Sequence, residues 1–274
     1  MMFRSHGPLG PGMISEIKLW WTFFRGIRSS SDRDVIVVSY PKAGRTWHRV
    51  ILRKYLETAF TLKKTHSISS RELSRSLGIP VVSYSHNGAG SRYAIGPRHF
   101  LNASPVLWRN HKVILLVREP RDVLVSGYFH DRHRLGSFTG SLSEYIRHPY
   151  TGIEKLLVAH QRWSRYSRTV PAFLLQRYES FHGDIESSVT AMLDFLGIKV
   201  EASALSQAIE FARFENMRRL ETEGYFKSDA MRVVGSEPDA RKVREGRIGG
   251  YKEYMSEEDI AFVNRAIRRI GYPY

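Results

Sequence analysis

The sequence predicts an α/β fold in which helices flank a central parallel sheet, and three observations carry that prediction. Asp34-Val35-Ile36-Val37-Val38-Ser39 is a short β-branched run, followed by a glycine-containing loop and then by apolar residues at helical spacing. Val113-Ile114-Leu115-Leu116-Val117 is apolar throughout, as strands buried on both faces of a parallel sheet are. Strand-like runs alternate with helix-like stretches along the chain, the order expected of parallel strands joined by helices.

Each element follows in turn. The first strand ends at Pro41, and Trp47, Val50, Ile51, Tyr55 and Leu56 mark one face of a helix over 46–57. Pro80-Val81-Val82-Ser83-Tyr84-Ser85 reads as a second strand and 113–117 as the third. Pro120 suits the first turn of the helix after it. Phe173-Leu174-Leu175 makes a fourth strand, ending at Arg177-Tyr178-Glu179. Helices are expected at 153–167, 185–196, 203–220 and 257–270, and the stretch 223–250, with five Gly and many charges, reads as a long mobile loop. No internal repeat is present, and no shift in composition divides 31–274, which reads as a single domain.

Residues 1–30 are read separately. The first twelve hold three Gly and two Pro and read as a disordered tail. Residues 13–28 read as an amphipathic helix that docks on the protein's own core or, as the alternative, makes peripheral contact with an anionic membrane. Its apolar stretch Leu19-Trp20-Trp21-Thr22-Phe23-Phe24 is too short to span a bilayer, so cytoplasmic residence is the expectation.

The chain of 274 residues carries 42 Lys+Arg against 27 Asp+Glu, a formal net charge of +15. Such a surface attracts polyanions. The basic residues are spread along the chain, whereas nucleic-acid binders concentrate them in a stripe, so no nucleic-acid partner is expected. With no cysteine, disulfides, thiolate metal sites and cysteine nucleophiles are excluded.

The loop Tyr40-Pro41-Lys42-Ala43-Gly44-Arg45-Thr46-Trp47 carries the chemistry. Strand, loop and helix in this order open a mononucleotide-binding unit. Gly44 lets an anion approach the backbone. The first N–H groups of the following helix lack helical partners and have its dipole behind them. Lys42 adds positive charge and Thr46 a hydroxyl. The Walker pattern of ATPases and kinases, G-x-x-x-x-G-K-[ST], occurs nowhere in the chain.

This segment resembles the Tyr-Pro-Lys-Ser/Ala-Gly-Thr/Asn-Thr-Trp loop of sulfotransferases that use 3′-phosphoadenylyl sulfate (PAPS). The resemblance implies a P-loop-like three-layer fold and an enzyme that moves a sulfuryl group from PAPS to an acceptor, leaving adenosine 3′,5′-bisphosphate (PAP), with no metal required. It implies that Lys42, Ala43, Gly44, Arg45 and Thr46 hold the 5′-phosphosulfate and that Trp47 stacks on adenine, with Arg45 a departure from the family's Thr or Asn. Arg118 and Ser126, eight positions apart, resemble the strand-end Arg and helix Ser that bind the 3′-phosphate in the family. An Arg offers a planar fork of donors suited to phosphate. Val243-Arg244-Glu245-Gly246-Arg247-Ile248-Gly249-Gly250-Tyr251-Lys252 is similar to the family's flap over the same phosphate, Arg-Lys-Gly-x-x-Gly-Asp-Trp-Lys. This places Arg244, Glu245 and Gly246 at the nucleotide; a carboxylate at 245 must serve through its backbone or point away. Tyr178 and Phe214 match family aromatics beside adenine.

Removal of the acceptor proton needs a base, and histidine suits it. Of eleven His, His86 follows a strand at the sheet edge where ligands bind and matches the place of the family's catalytic His. His130 and His133 are the alternatives, whereas His48 is expected to pack or cap. No His/carboxylate spacing suggests a metal. The acceptor is expected to be a small molecule or carbohydrate, sulfated at a hydroxyl or at an amine or amide nitrogen. His130-Asp131-Arg132-His133-Arg134 hints at a polar or anionic one. A nucleotide kinase or a basic binding protein that kept the fold are the competing readings, and the oligomeric state stays open.

Overall fold

The structure, a computed structural model, describes residues 35–63, 66–86, 89, 110–234 and 238–274. The expected tail, the amphipathic helix 13–28 and most of the acceptor loop after His86 lie outside the described residues.

Four strands, β1 (Val35–Ser39), β2 (Val82–Ser85), β3 (Lys112–Val117) and β4 (Ala172–Arg177), form one all-parallel sheet in the order β2-β1-β3-β4. Val35 aligns with Val82 on one side and Lys112 on the other. The chain therefore leaves β1 at a point where its two neighbours lie on opposite sides. That switch point, at the carboxyl ends of the strands, is where such sheets bind ligands.

Alternation along the strands feeds two layers. Val35 and Val37 of β1 with Ile114 and Leu116 of β3 pack against Val50, Ile51 and Tyr55 of α1 (Arg45–Ala59). Ile36, Val38, Val113, Leu115 and Val117 face the other way, toward Trp163 of a helix over Ile153–Tyr166. All are buried, as expected for strands covered on both faces.

Other helices span Arg71–Ser76, Pro120–Phe129, Leu142–Arg147, Tyr178–Gly183, Ile185–Leu196 and Glu257–Ile270. Those at 71–76, 142–147 and 178–183 are too short for periodicity to have announced them. The stretch 203–220 holds two helices rather than one, Ala202–Phe211 and Phe214–Thr222. Arg213 takes an extended ψ of 147°, and the carbonyl of Ala212 accepts the indole N–H of Trp47 at 2.7 Å. The break places Phe214 at the start of a new helix, on the wall of a cavity beside Gly246.

The described parts of 223–250 are also not the free loop the sequence suggested. Phe226, Met231 and Ala240 are buried. The buried guanidinium of Arg134 donates to the carbonyls of Asp229, Ala230, Arg232 and Ala240. Buried Glu221 lies 3.7 Å from Arg134 and accepts the N–H groups of Lys242 and Val243. Breaking such a buried pair strands a charge. Arg134→Met is thus expected to destabilise the fold by roughly 3 kcal/mol and to speed tryptic cleavage at Arg232, Arg241 and Lys242. An unchanged cleavage pattern would show that the loop is held by other contacts.

Among the described residues, one buried imidazole has neither ring nitrogen paired. His160 is 2 % exposed, neither ring nitrogen is hydrogen-bonded, and its ring lies among Tyr40, Tyr272 and Tyr274. Burial pulls it down to about 3, and His48 down to about 4. Between those values and the ordinary one near 6.5 the unfolded chain binds more protons, so stability falls as pH drops below about 6.5, by up to about 1.4 kcal/mol per pH unit for each group. His160→Phe should raise stability by about 1 kcal/mol at pH 7, with a margin that widens toward pH 5. Urea unfolding at both values measures it; equal stability at both would show that the imidazole costs nothing.

Candidate active site

The loop 40–44 turns between β1 and α1 through two left-handed residues, Lys42 (φ 75°) and Gly44 (φ 90°). For a lysine this conformation carries strain of order 1–3 kcal/mol, which persists only where the surroundings enforce it. A Cβ on Gly44 would lie 2.7 Å from the Tyr178 ring, so the site requires glycine twice over. Gly44 precedes α1 without a side-chain cap. The first N–H groups of that helix therefore have no helical acceptor and face a cavity of about 470 Å³.

That cavity gathers most of the residues singled out in the sequence. Lys42, Gly44, Arg45, Thr46, Trp47, His86, Arg118, Ser126, Tyr178, Phe214, Arg244, Glu245 and Gly246 all line it. Ala43 is buried behind the loop and lines none of it. His130 borders the cavity, while His133 stacks on Phe129 outside the lining.

Arg118 leaves the end of β3 and lies 4.1 Å above the Tyr178 ring. It donates to the carbonyls of Lys42 at 3.4 Å and Arg247 at 3.2 Å, and its Nε is buried without an acceptor. Ser126 lies further along the helix 120–129 on the cavity side. Trp47 contacts Tyr178 and His182 at ring-centroid distances of 5.7 and 5.0 Å, and its position is fixed by the Ala212 bond.

The segment 244–251 closes over this end. Gly246 (φ 65°) comes so near Phe214 that a Cβ there would lie 2.5 Å from the ring. Arg244 stacks on Phe129 and donates to Glu245 and to the Tyr254 hydroxyl. The Glu245 carboxylate also accepts from Tyr254 and pairs with Arg247. It is thus turned into an ion-pair cluster, and the cation beside it is already partly neutralised.

Asp122 holds the segment in place, a role the sequence reading missed. Its buried carboxylate accepts the N–H groups of Gly249 at 2.8 Å and Tyr251 at 3.0 Å. The available signal was an acid in the first turn of a helix, which is ordinary there. Glu221 and Arg134 were missed for the same reason, since their partners are distant backbone atoms.

The electrostatics are strongly one-sided. Loss of water first, then Lys242 and Arg118, pushes the Lys42 ammonium well below the ordinary lysine range. At His86 the ring Nδ1 donates to the Ser39 carbonyl at 2.9 Å, which leaves Nε2 with its lone pair. Burial, with Arg45 next in effect, holds this imidazole down at about 3. Such a ring is neutral at pH 7 and able to accept a proton.

Comparison with known proteins decides the family, because the sulfotransferase domain profile matches residues 32–270. The chain belongs to the sulfotransferase family. It is an enzyme of the PAPS-dependent sulfotransferase type. Sulfotransferase 2A1 of Rattus norvegicus is 27% identical over 239 residues, covering 82% of this chain and 80% of its own. Luciferin sulfotransferase of Photinus pyralis is 24% identical, covering 83% and 68%. Among solved structures, a mouse sulfotransferase complexed with PAP superposes with a TM-score of 0.58 at 18% identity, covering 89% of this chain and 86% of that one. Retinol dehydratase in complex with androsterone and inactive cofactor PAP gives 0.60 at 19%, covering 87% and 80%. At these identities the likeness shows a shared fold, and it is the P-loop-like α/β fold expected from the sequence. Among the described residues, no helix of this sulfotransferase is long and apolar enough to cross a membrane, and no group of His and carboxylates could hold a metal ion.

Proposed function

We propose that this sulfotransferase transfers the sulfuryl group of PAPS to a hydroxyl, or to an amine or amide nitrogen, of a small-molecule or carbohydrate acceptor, with His86 as general base. One observation carries the reading. A left-handed loop with free N–H donors, an arginine whose buried Nε lacks an acceptor, and a neutral histidine all open into one cavity. PAP bound to a structural neighbour supports the choice of donor.

Each residue then has a distinct part. Lys42 and the first N–H groups of α1 hold the 5′-phosphosulfate. Arg118, Ser126, Arg244 and the backbone at Glu245 and Gly246 hold the 3′-phosphate. Trp47, Tyr178 and Phe214 enclose adenine. The donor supplies an electrophilic sulfur and a phosphate leaving group. His86 Nε2 takes the acceptor proton as the new bond from sulfur to the acceptor oxygen or nitrogen forms and the old bond to the 5′-phosphate oxygen breaks. Lys42 and the helix N–H groups stabilise the charge that collects on that oxygen.

The test is nucleotide preference in metal-free buffer. Calorimetry should show tight PAP binding, with adenosine 5′-monophosphate and ATP each weaker by at least tenfold. Equal affinity for PAP and the monophosphate would end this reading in favour of another nucleotide or a binding role.

A further inference from the structure

Basic residues line the cavity on both sides of β1. Arg118 follows β3, whereas Arg45 and Arg49 stand one turn apart on α1 and face β2. Arg49 lies 5.1 Å over the ring of Tyr84 in β2, and Arg45 is the main charged neighbour of His86, which follows β2. Lys242 approaches the same place from the opposite wall, near Arg45 and Arg49.

These three cations form no ion pair among the described residues. Arg49 Nε is closed off from solvent and has no acceptor. Glu221, the carboxylate nearest Lys242, is already committed to two backbone N–H groups and to Arg134. Asp229 is exposed at the cavity border and forms no ion pair among the described residues. The sequence 87–109 that follows His86 contains no Asp or Glu. Burial, then Arg49, pulls Arg45 down to about 10, and burial, then Arg134 and Arg45, pulls Lys242 down to about 8. By contrast, the segment 130–134 spends its arginines internally, Arg134 on four carbonyls and Arg132 on those of Thr139 and Gly140. The hint of an anionic acceptor therefore moves from 130–134 to Arg45, Arg49 and Lys242.

Three partly desolvated cations with no ion pair among the described residues are costly unless a bound group supplies counter-charge. On the proposed reading the donor's phosphates take Lys42, Arg118 and Arg244, which leaves Arg45 and Arg49 toward β2, with Lys242 standing between Lys42 and Arg45. We infer that the acceptor itself carries an oxyanion, a carboxylate or a phosphate or sulfate ester, held by Arg45, Arg49 and Lys242 next to the group that His86 deprotonates. The inference rests on the sulfotransferase reading and adds the acceptor class.

Its test uses the full-length protein saturated with PAP, titrated by calorimetry with phenyl phosphate, benzoate and benzamide. At least one anion should bind tenfold or more tightly than benzamide, and which one does so separates the ester from the carboxylate. Arg49→Gln should reduce that anion's affinity at least fivefold while the PAP dissociation constant stays within twofold. Anions that bind no better than benzamide, or not at all, overturn the inference, as does an unchanged affinity in Arg49→Gln. Failure of PAP itself to bind would overturn the donor reading instead. An Arg49→Gln protein that no longer binds PAP would place Arg49 at the nucleotide and also overturn the inference.

Discussion

His86→Ala is expected to lower turnover by a factor of about 10²–10⁴, the usual contribution of a positioned base, while PAP affinity changes less than twofold. The imidazole is oriented by the Ser39 carbonyl, not by a carboxylate. Removing it therefore leaves no buried charge behind, and the nucleotide contacts are spared. Because burial and adjacent cations hold the free ring at about 3, it stays neutral well below pH 7. The pH profile of kcat/KM for the donor, which reports the free enzyme, should accordingly show no loss on the acid side between pH 8 and 6 that can be assigned to this ring. A bound polyanion shields the cations and raises the ring's affinity for a proton toward the useful range. Undiminished turnover in His86→Ala would move the base to His130, which also borders the cavity.

Arg118→Ala should weaken PAP binding by roughly 2–4 kcal/mol, the scale for removing one partner of a desolvated charged pair. Binding of adenosine 5′-monophosphate should weaken by much less, through the contact of Arg118 with the Lys42 carbonyl alone. The contrast between the two nucleotides isolates the 3′-phosphate, because both share the ring and the 5′-phosphate. Lys42→Ala should weaken both nucleotides, and it should also slow transfer, since in the proposed mechanism the same ammonium meets the leaving-group charge. If Arg118→Ala weakened both nucleotides equally, its main part would be to support Tyr178 rather than to hold a phosphate.

The strands were legible because strands buried on both faces leave near-continuous β-branched and aliphatic runs, as at 35–39 and 113–117. The helix 257–270 was legible for its strong periodicity. The split at Ala212 was hidden, since what ends the helix is a tryptophan 165 positions away. The anchoring of 223–250 was hidden likewise. Its glycines and charges describe a loop, but its order comes from Arg134 and Glu221, whose partners are main-chain atoms that carry no sequence signature. In the cavity, Lys42, Arg118 and Ser126 were readable from motif and spacing. Arg45 stood out only as a departure. Its meaning depends on Arg49 and Lys242, and the latter lies nearly two hundred positions away in the chain.

Tyr178 has a consequence beyond its proposed contact with adenine. One ring meets Gly44 on one edge and carries the Arg118 guanidinium on its face, while Arg118 also reaches the Lys42 carbonyl. The two ends of the nucleotide site are therefore a single mechanical piece. In a double-mutant cycle, Lys42→Ala and Arg118→Ala should fail to add, with a coupling of about 0.5–3 kcal/mol in PAP binding. A nucleotide missing one phosphate would then be held less well at the other as well. Discrimination by this enzyme becomes a cooperative property of the whole donor, sharper than its separate contacts would give.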